Sequence, residues 1–527
     1  MELATLLSRL KTQDHTVTSF EGARVVRRSF ETVLADVRAT CDVLKSWGVR
    51  PGMRVGIRAP NSYPWLVHDL ALLELRAVSV AFTDDFAALG CRELRDRYAL
   101  SLLLVTEGER AKQPPEDTFV ASMDGGDNSR VRAATEDAPP GPDSFDQPWL
   151  TFSSGSVGGV KGMVLNRKGI ETSVAAFTEA VAPQPDDCLL LFLPISSFQQ
   201  RMMYYAALWY GFDLILADPP RLFLALKELK PTILIAPPML YEAIETRFHN
   251  LPAWKRAVAW GAGAAIQRVP HPAARAKLAR LVFKQAYEAL GGRMRFMVTG
   301  MAPIKRSTLD LFARMQLPLF EAYGLTETGP IAVNLPTARK LGSVGRPLPG
   351  SQIELAPDGE IIIRREHMQS ASYFEATPEE TQRTFLGDNR IATGDIGRFD
   401  ADGYLYLVGR KKEIIVTAGG EKIHPEAVEA AIDAHPDIAK SVVLGGPGGL
   451  SLAAVILPKV PEDAEARARI HAFVENLKKQ RAIRSVDTVI FTDVAFTREN
   501  GLLRPNLKLD RRRIAAQFQP DIESAEV

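Results

Sequence analysis

Ten consecutive positions, Ser153-Ser154-Gly155-Ser156-Val157-Gly158-Gly159-Val160-Lys161-Gly162, hold little but glycine, serine and one lysine. Glycine lets a backbone turn several N–H groups toward one anion, serine hydroxyls add donors, and lysine adds charge. Such a loop can hold phosphate. It is not a Walker A loop, because Val160 precedes the lysine and Gly162 follows it. Taken alone, the stretch also fits a flexible surface connection.

Three further segments give it company. In Tyr323-Gly324-Leu325-Thr326-Glu327-Thr328 a hydroxyl and a carboxylate stand side by side after a strand-like run. A threonine can bond a phosphate, and a glutamate can hold a Mg²⁺ that bridges phosphates. Thr393-Gly394-Asp395, followed by Arg410, offers a carboxylate able to accept both hydroxyls of a ribose. Each such charge-assisted bond is worth about 1.5–3 kcal/mol. The last segment, Arg504-Pro505-Asn506-Leu507-Lys508-Leu509-Asp510-Arg511, sets a lone lysine near the end of the chain. A lone lysine is ordinarily a solvated surface residue, so its weight depends on the motif around it.

These segments need rigid elements to position them. The chain has 527 residues, 46% hydrophobic and 24% charged, with a formal net charge of +1. That is globular material for roughly three or four folding units, and the charge indicates no general affinity for nucleic acid. Cys41, Cys91 and Cys188 are far apart and form no metal or disulfide pattern, which fits a reducing compartment. Neither a signal peptide nor a membrane span is expected: the start lacks a basic-then-apolar pattern, and the apolar runs near 189–195 and 233–240 are broken by proline. A cytoplasmic location is the expectation.

Helical spacing over 31–44, a strand-like run at 54–57 and a helix over 65–75 predict a layered α/β region. Residues 113–148, rich in Pro, Asp, Gly and Ser, read as a long surface connection. Further strand-like runs lie at 188–193, 213–217, 232–236, 295–298 and 317–321, with helices between. Residues 255–290 are helical in pattern and carry several Arg and Lys, as a solvated helical subdomain would. From Gln352 onward, short β-runs with turn signals predict a smaller β-rich unit. The charged run Gly409-Arg410-Lys411-Lys412-Glu413 suggests a boundary before the last α/β patterning.

Together the segments resemble the adenylate-forming, AMP-binding acyl-activating superfamily, over about Ser29 to Arg513. Within it the chain is most similar to the long-chain fatty acyl-CoA synthetase branch. That resemblance rests on Leu193-Pro194-Ile195 before Arg201, Val298-Thr299-Gly300 with Ala302-Pro303, and Gly345-Arg346-Pro347-Leu348-Pro349-Gly350. The helical stretch before Gly291 sits where that branch carries an insertion.

The resemblance implies a fold and a set of roles. The fold would be a large N-terminal region, residues 1–408, of two α/β sheets plus a small β-barrel-like unit. A hinge at 409–412 would lead to a small mobile α+β C-terminal domain, 413–527. ATP and a fatty-acid-like carboxylic acid would give an acyl-adenylate and pyrophosphate, and a thiol, most often that of CoA, would then displace AMP. Ser153, Ser154, Gly155, Ser156, Gly158 and Lys161 would hold the β- and γ-phosphates. Thr326 would touch the α-phosphate and Glu327 would bind Mg²⁺. Gly300, Ala302, Glu321, Ala322 and Tyr323 would flank the adenine, and Asp395, assisted by Arg410, would hold the ribose. Lys508 would bridge the carboxylate and the α-phosphate; Lys412 would be the hinge, and Gly419 and Gly420 would line the thiol tunnel after rotation.

Several positions depart from that pattern. Val157 replaces a hydroxyl residue in the phosphate loop and Val160 replaces a proline. Ser197 stands where many members carry a histidine near the acyl carboxylate, Met301 stands where Gly or Ala is preferred, and the 364–368 segment strays from the branch. The changes cluster around the acid site and suggest a specialised acid. Two alternatives stay open: a ligase passing the acyl group to a carrier-protein thiol or an amine, and a non-catalytic nucleotide-binding protein. Gly261-Ala262-Gly263 does not extend to a dinucleotide fingerprint, and His68 and His424 read as structural.

Overall fold

Two mostly parallel sheets, both flanked by helices, carry the first two thirds of the chain. The computed structural model describes residues 1–133, 146–154, 160–416, 422–446, 451–480, 483, 486–497, 499–503 and 509–525. The first sheet has seven strands, in the order Ser370–Phe374, Val160–Leu165, Trp149–Ser154, Val78–Ala81, Arg54–Arg58, Leu102–Val105 and Val120–Ser122. Its central strands are buried on both faces and read as continuous apolar runs; Leu102–Val105 is wholly buried.

The second sheet has nine strands. Its parallel centre runs Leu319–Leu325, Phe296–Thr299, Ile233–Ala236, Cys188–Leu191 and Asp213–Leu216. Helices Tyr63–Glu74 and Phe198–Tyr210 pack into the core beside them. Ser62 caps the former by accepting from the Trp65 N–H, as an N-cap serine should.

One expectation needs correction, and one element was not anticipated. The 113–148 stretch is not only a connection: Val120–Ser122 is a buried strand at the edge of the first sheet. Three residues among prolines and acids are too few to print a period-2 pattern. The second sheet also gains an N-terminal hairpin, Thr16–Glu21 with Arg24–Ser29, whose arginine-rich second strand hides its β character.

A five-stranded unit follows. Gln352–Leu355, Glu360–Arg364 and Arg390–Phe399 pair in turn, and Phe385–Gly387 and Leu405–Arg410 both pair with Arg390–Phe399. Strands Ile438–Gly445, Leu452–Pro458 and Thr488–Phe491 then form a mixed sheet with helices Pro425–Ile432, Ala464–Lys479 and Arg511–Ala525. Two apolar clusters, one around Ile432, Ile438 and Val474 and the other around Val442, Val455 and Ile514, are built wholly from buried residues beyond position 422. Among the described residues no helix is long and apolar enough to cross a membrane.

Candidate functional site

Antiparallel register brings the ribose-type residues together. Asp395 lies directly opposite Arg410 in the Arg390–Phe399 and Leu405–Arg410 pair, so Arg410 Nε reaches Asp395 Oδ1 at 2.8 Å. Tyr323, from the second sheet, donates its hydroxyl to Asp395 Oδ2 at 2.6 Å. The Asp395 N–H donates to Thr393 Oγ1 at 3.1 Å, and Thr393 Oγ1 donates to the Ile361 carbonyl at 2.8 Å. Asp395 is 5% exposed, and its carboxylate is held in one orientation by a cation and a phenol. The buried Tyr323 hydroxyl is driven well above its ordinary pKa by desolvation and by that carboxylate.

The other adenine-type residues lie at the carboxyl ends of parallel strands, where open α/β sheets bind ligands. Thr299 pairs with Glu321 across strands Phe296–Thr299 and Leu319–Leu325. Gly300 follows, and a Cβ there would stand 3.1 Å from the Ala322 carbonyl oxygen. Met301 and Ala302 are exposed, and Met301 holds φ +70°, a left-handed conformation costly for a side chain of that size. Burial pushes the Glu321 carboxyl up to about 7, and its Oε2 accepts from the Gly342 N–H at 3.0 Å.

The two ends of the phosphate-type loop lie on paired strands. Ser153 pairs with Lys161, and Ser154 with Val160, across strands Trp149–Ser154 and Val160–Leu165. Gly155, Ser156 and Gly158 lie outside the described residues, as do Gly419, Gly420 and Lys508. Lys412 is exposed in the short turn Lys411–Glu413.

Three residues that sequence reasoning passed over organise the remainder. Tyr373 donates its hydroxyl to Glu327 Oε1 at 3.0 Å, and its ring lies 4.5 Å from Lys161 Nζ. It therefore ties the phosphate hairpin to the turn that bears Glu327. Arg365, buried, donates to the Thr328 carbonyl at 2.6 Å, to Ser173 Oγ at 2.7 Å and to the Pro330 carbonyl. It clamps the 326–330 turn without a carboxylate partner among the described residues, and burial lowers its pKa to about 10. Its only sequence signal is a second arginine directly after a β-run, in the segment read as a departure.

Gln199 is the third. Its Nε2 donates to Thr326 Oγ1 at 2.8 Å, and its Oε1 accepts from Ser197 Oγ at 2.9 Å. Ser197 is the N-cap of helix Phe198–Tyr210, but its hydroxyl serves Gln199 instead of the helix end. A hydroxyl has one hydrogen. Because Thr326 Oγ1 accepts from Gln199, that hydrogen is left for an anion. Gln199→Leu is expected to lower adenylate formation about tenfold, the value of one hydrogen bond near 1.4 kcal/mol, and Gln199→Glu to lower it further, since a carboxylate would claim the Thr326 proton. Pyrophosphate exchange measures both, and equal rates in Leu and Glu variants would refute the role.

The surroundings of Glu327 suit a Mg²⁺ ligand. It is a half-buried carboxylate with Oε1 held by Tyr373. Among the described residues there is no cluster of three or more His, Cys, Asp or Glu able to hold a metal. One carboxylate completed by substrate phosphates is the habit of Mg²⁺, so the residues fit that ion. His68 is buried, with Nδ1 2.8 Å from the Pro64 carbonyl oxygen, and burial lowers its pKa to about 4.

Comparison with known proteins supplies the frame. The family model described as "AMP-binding enzyme" matches residues 9–370. The long-chain-fatty-acid–CoA ligase FadD15 of Mycobacterium bovis is 29% identical, over 93% of this chain and 90% of that protein. Among solved structures, the anthranilate CoA ligase AuaEII in complex with anthranoyl-AMP superposes with a TM-score of 0.75 at 20% identity, covering 99% of this chain and 98% of that one. The amide bond synthetase McbA of Marinactinospora thermotolerans superposes at 0.72 with 21% identity, covering 98% and 99%.

Proposed function

The chain belongs to the AMP-binding enzyme family, and from that premise we propose that this adenylate-forming ligase activates an apolar, fatty-acid-like carboxylic acid with ATP and passes the acyl group to coenzyme A. The observation that supports the reading is the Asp395 carboxylate, oriented by Arg410 and Tyr323 as an acceptor for the two hydroxyls of a ribose. Asp395 orients the nucleoside, and Gly300, Ala302, Glu321, Ala322 and Tyr323 border its base. The 153–161 hairpin with Lys161 takes the β- and γ-phosphates. Thr326, its hydroxyl hydrogen freed by Gln199, binds the α-phosphate. Glu327 would hold Mg²⁺, which neutralises phosphate charge when bound.

Lys508 is then the cation set between the acid and the α-phosphate. Residues 1–408 would stay fixed while 413–527 rotate about 409–412, carrying Lys508 away and bringing Gly419 and Gly420 to the thiol path. The self-contained apolar clusters beyond position 422 support that division. Across that division Lys305 Nζ donates to the Ile438 and Ala439 carbonyls at 3.4 and 3.0 Å. The fatty acid rests on the likeness to FadD15.

The test is incubation with ATP, Mg²⁺, CoA and a panel of acids, followed by detection of AMP and acyl thioester. A long-chain thioester is the expected product. Adenylate that accumulates and is captured only by amines or a carrier protein would overturn the CoA assignment. Met301→Gly in the same panel is expected to relieve the left-handed strain and to widen acceptance toward bulkier acids; an unchanged preference order would remove Met301 from the acid site.

A further inference from the structure

Helices Ala253–Gln267 and Pro272–Val282 break the usual rule for a surface helix. Gly263 and Ile266 are the buried positions of the first. On its opposite side, Trp254, Val258, Gly261 and Ala265 follow one another at i, i+4, i+7 and i+11, and all four are exposed. Trp254 is 65% exposed and Val258 64%. The second helix buries Ala279 and leaves Leu281 75% exposed, with Leu278 beside it. A helix that is apolar on its outer face as well as its inner one needs something apolar to meet outside. Trp260 differs, because Arg314 lies 4.1 Å from its ring and Phe248 is nearby. Trp254, by contrast, has Lys255 Nζ 5.5 Å from its ring and no ring partner among the described residues.

Charge says what the partner is. No aspartate or glutamate occurs between Glu245 and Glu288, while Lys255, Arg256, Arg268, Arg275, Lys277 and Arg280 fall on these helices and their connection. Among the described residues none of the six makes an ion pair. The whole chain carries only +1, so this is a local concentration. Protruding tryptophan and aliphatic side chains interleaved with long cations match the boundary between lipid headgroups and acyl chains. A nucleic-acid surface would use the cations and leave the apolar residues in water.

We propose that these two helices dock the protein on an anionic lipid bilayer, with Trp254, Val258, Leu278 and Leu281 entering the interface and the surrounding Lys and Arg meeting lipid phosphates. The proposal does not depend on the catalytic reading, and it would place an enzyme for apolar acids where such acids partition.

Sedimentation of the full chain with phosphatidylglycerol–phosphatidylcholine vesicles against pure phosphatidylcholine tests it. Binding to the anionic vesicles at least about tenfold tighter is expected, with a further loss of about tenfold or more in Lys277→Gln/Arg280→Gln. Trp254→Ser/Leu281→Ser should weaken binding comparably and at every salt concentration, because it removes the apolar part. Pyrophosphate exchange with a short, soluble acid should stay at the parental rate in both variants, which confirms that they fold. Equal binding to neutral vesicles, no binding to either, or indifference to Trp254→Ser/Leu281→Ser would each overturn the proposal. So would retention on duplex DNA without vesicle binding, or a self-association that the serine variant abolishes while vesicles are ignored.

Discussion

Replacing Lys508 with alanine is expected to slow acyl-adenylate formation by about 10²–10³, the cost of removing one preorganised charge donor from a developing oxyanion. The reaction brings a carboxylate to a phosphate, and both are anions. A cation held between them away from water stabilises the charge as it moves, and Lys508 is the one lysine in the Arg504–Arg511 segment. Acyl transfer from preformed adenylate to CoA makes no such demand, so that half-reaction should stay near the parental rate. The two rates, pyrophosphate exchange and thioester formation from synthetic acyl-AMP, separate the chemistry from misfolding. A loss shared equally by both would mean damaged structure, and parental exchange would end the assignment. Lys508→Arg should recover part of the activity, because the charge returns on a side chain of different reach and geometry.

How much of the site could be read in advance follows from the kind of residue involved. Asp395 and Arg410 stood out through the Thr393-Gly394-Asp395 motif and the charged run at 409–413, and it is the hairpin register that sets the two side by side. Thr326 and Glu327 announced themselves as a hydroxyl and a carboxylate after a strand. Tyr373 did not. It is an ordinary aromatic on strand Ser370–Phe374, and its position depends on pairing with Val160–Leu165, some two hundred residues earlier in the chain. Gln199 was masked in the same way: its partner Thr326 lies 127 residues away, and a neutral amide carries no sequence signal. Arg365 was visible only as an oddity. Long-range pairing, not local propensity, decides such roles, and a single sequence contains no direct record of it.

The two sheets are joined through a buried ion pair, and its two halves should not be equivalent. Asp69, on helix Tyr63–Glu74, and Arg201, on helix Phe198–Tyr210, are both fully buried, with Arg201 Nη1 3.3 Å from Asp69 Oδ1. Asp69 also accepts from Tyr205 at 2.5 Å, from Ser79 at 2.8 Å and from Tyr204. Arg201 has less: Nη1 also donates to Ser79 Oγ at 3.4 Å, Nε and Nη2 find no hydrogen-bond partner among the described residues, and the Trp65 and Phe198 rings lie 4.9 and 5.4 Å away. Asp69→Leu therefore leaves a buried cation almost alone and should destabilise by about 3–5 kcal/mol, the cost of breaking a buried pair from one side. Arg201→Met leaves a carboxylate with three hydroxyl donors and should cost less, while the double variant should recover much of the loss because neither charge remains. Trp65 and Trp149 sit in this cluster, Trp149 donating to the Tyr205 hydroxyl at 3.1 Å, so tryptophan fluorescence during urea unfolding reports on it. The same helix presents Gln199 to Thr326, so adenylate formation in Asp69→Leu should fall more than in Arg201→Met at temperatures where both remain folded. A larger penalty for Arg201→Met, in stability or in rate, would show that the carboxylate and not the guanidinium is the group that cannot stand alone.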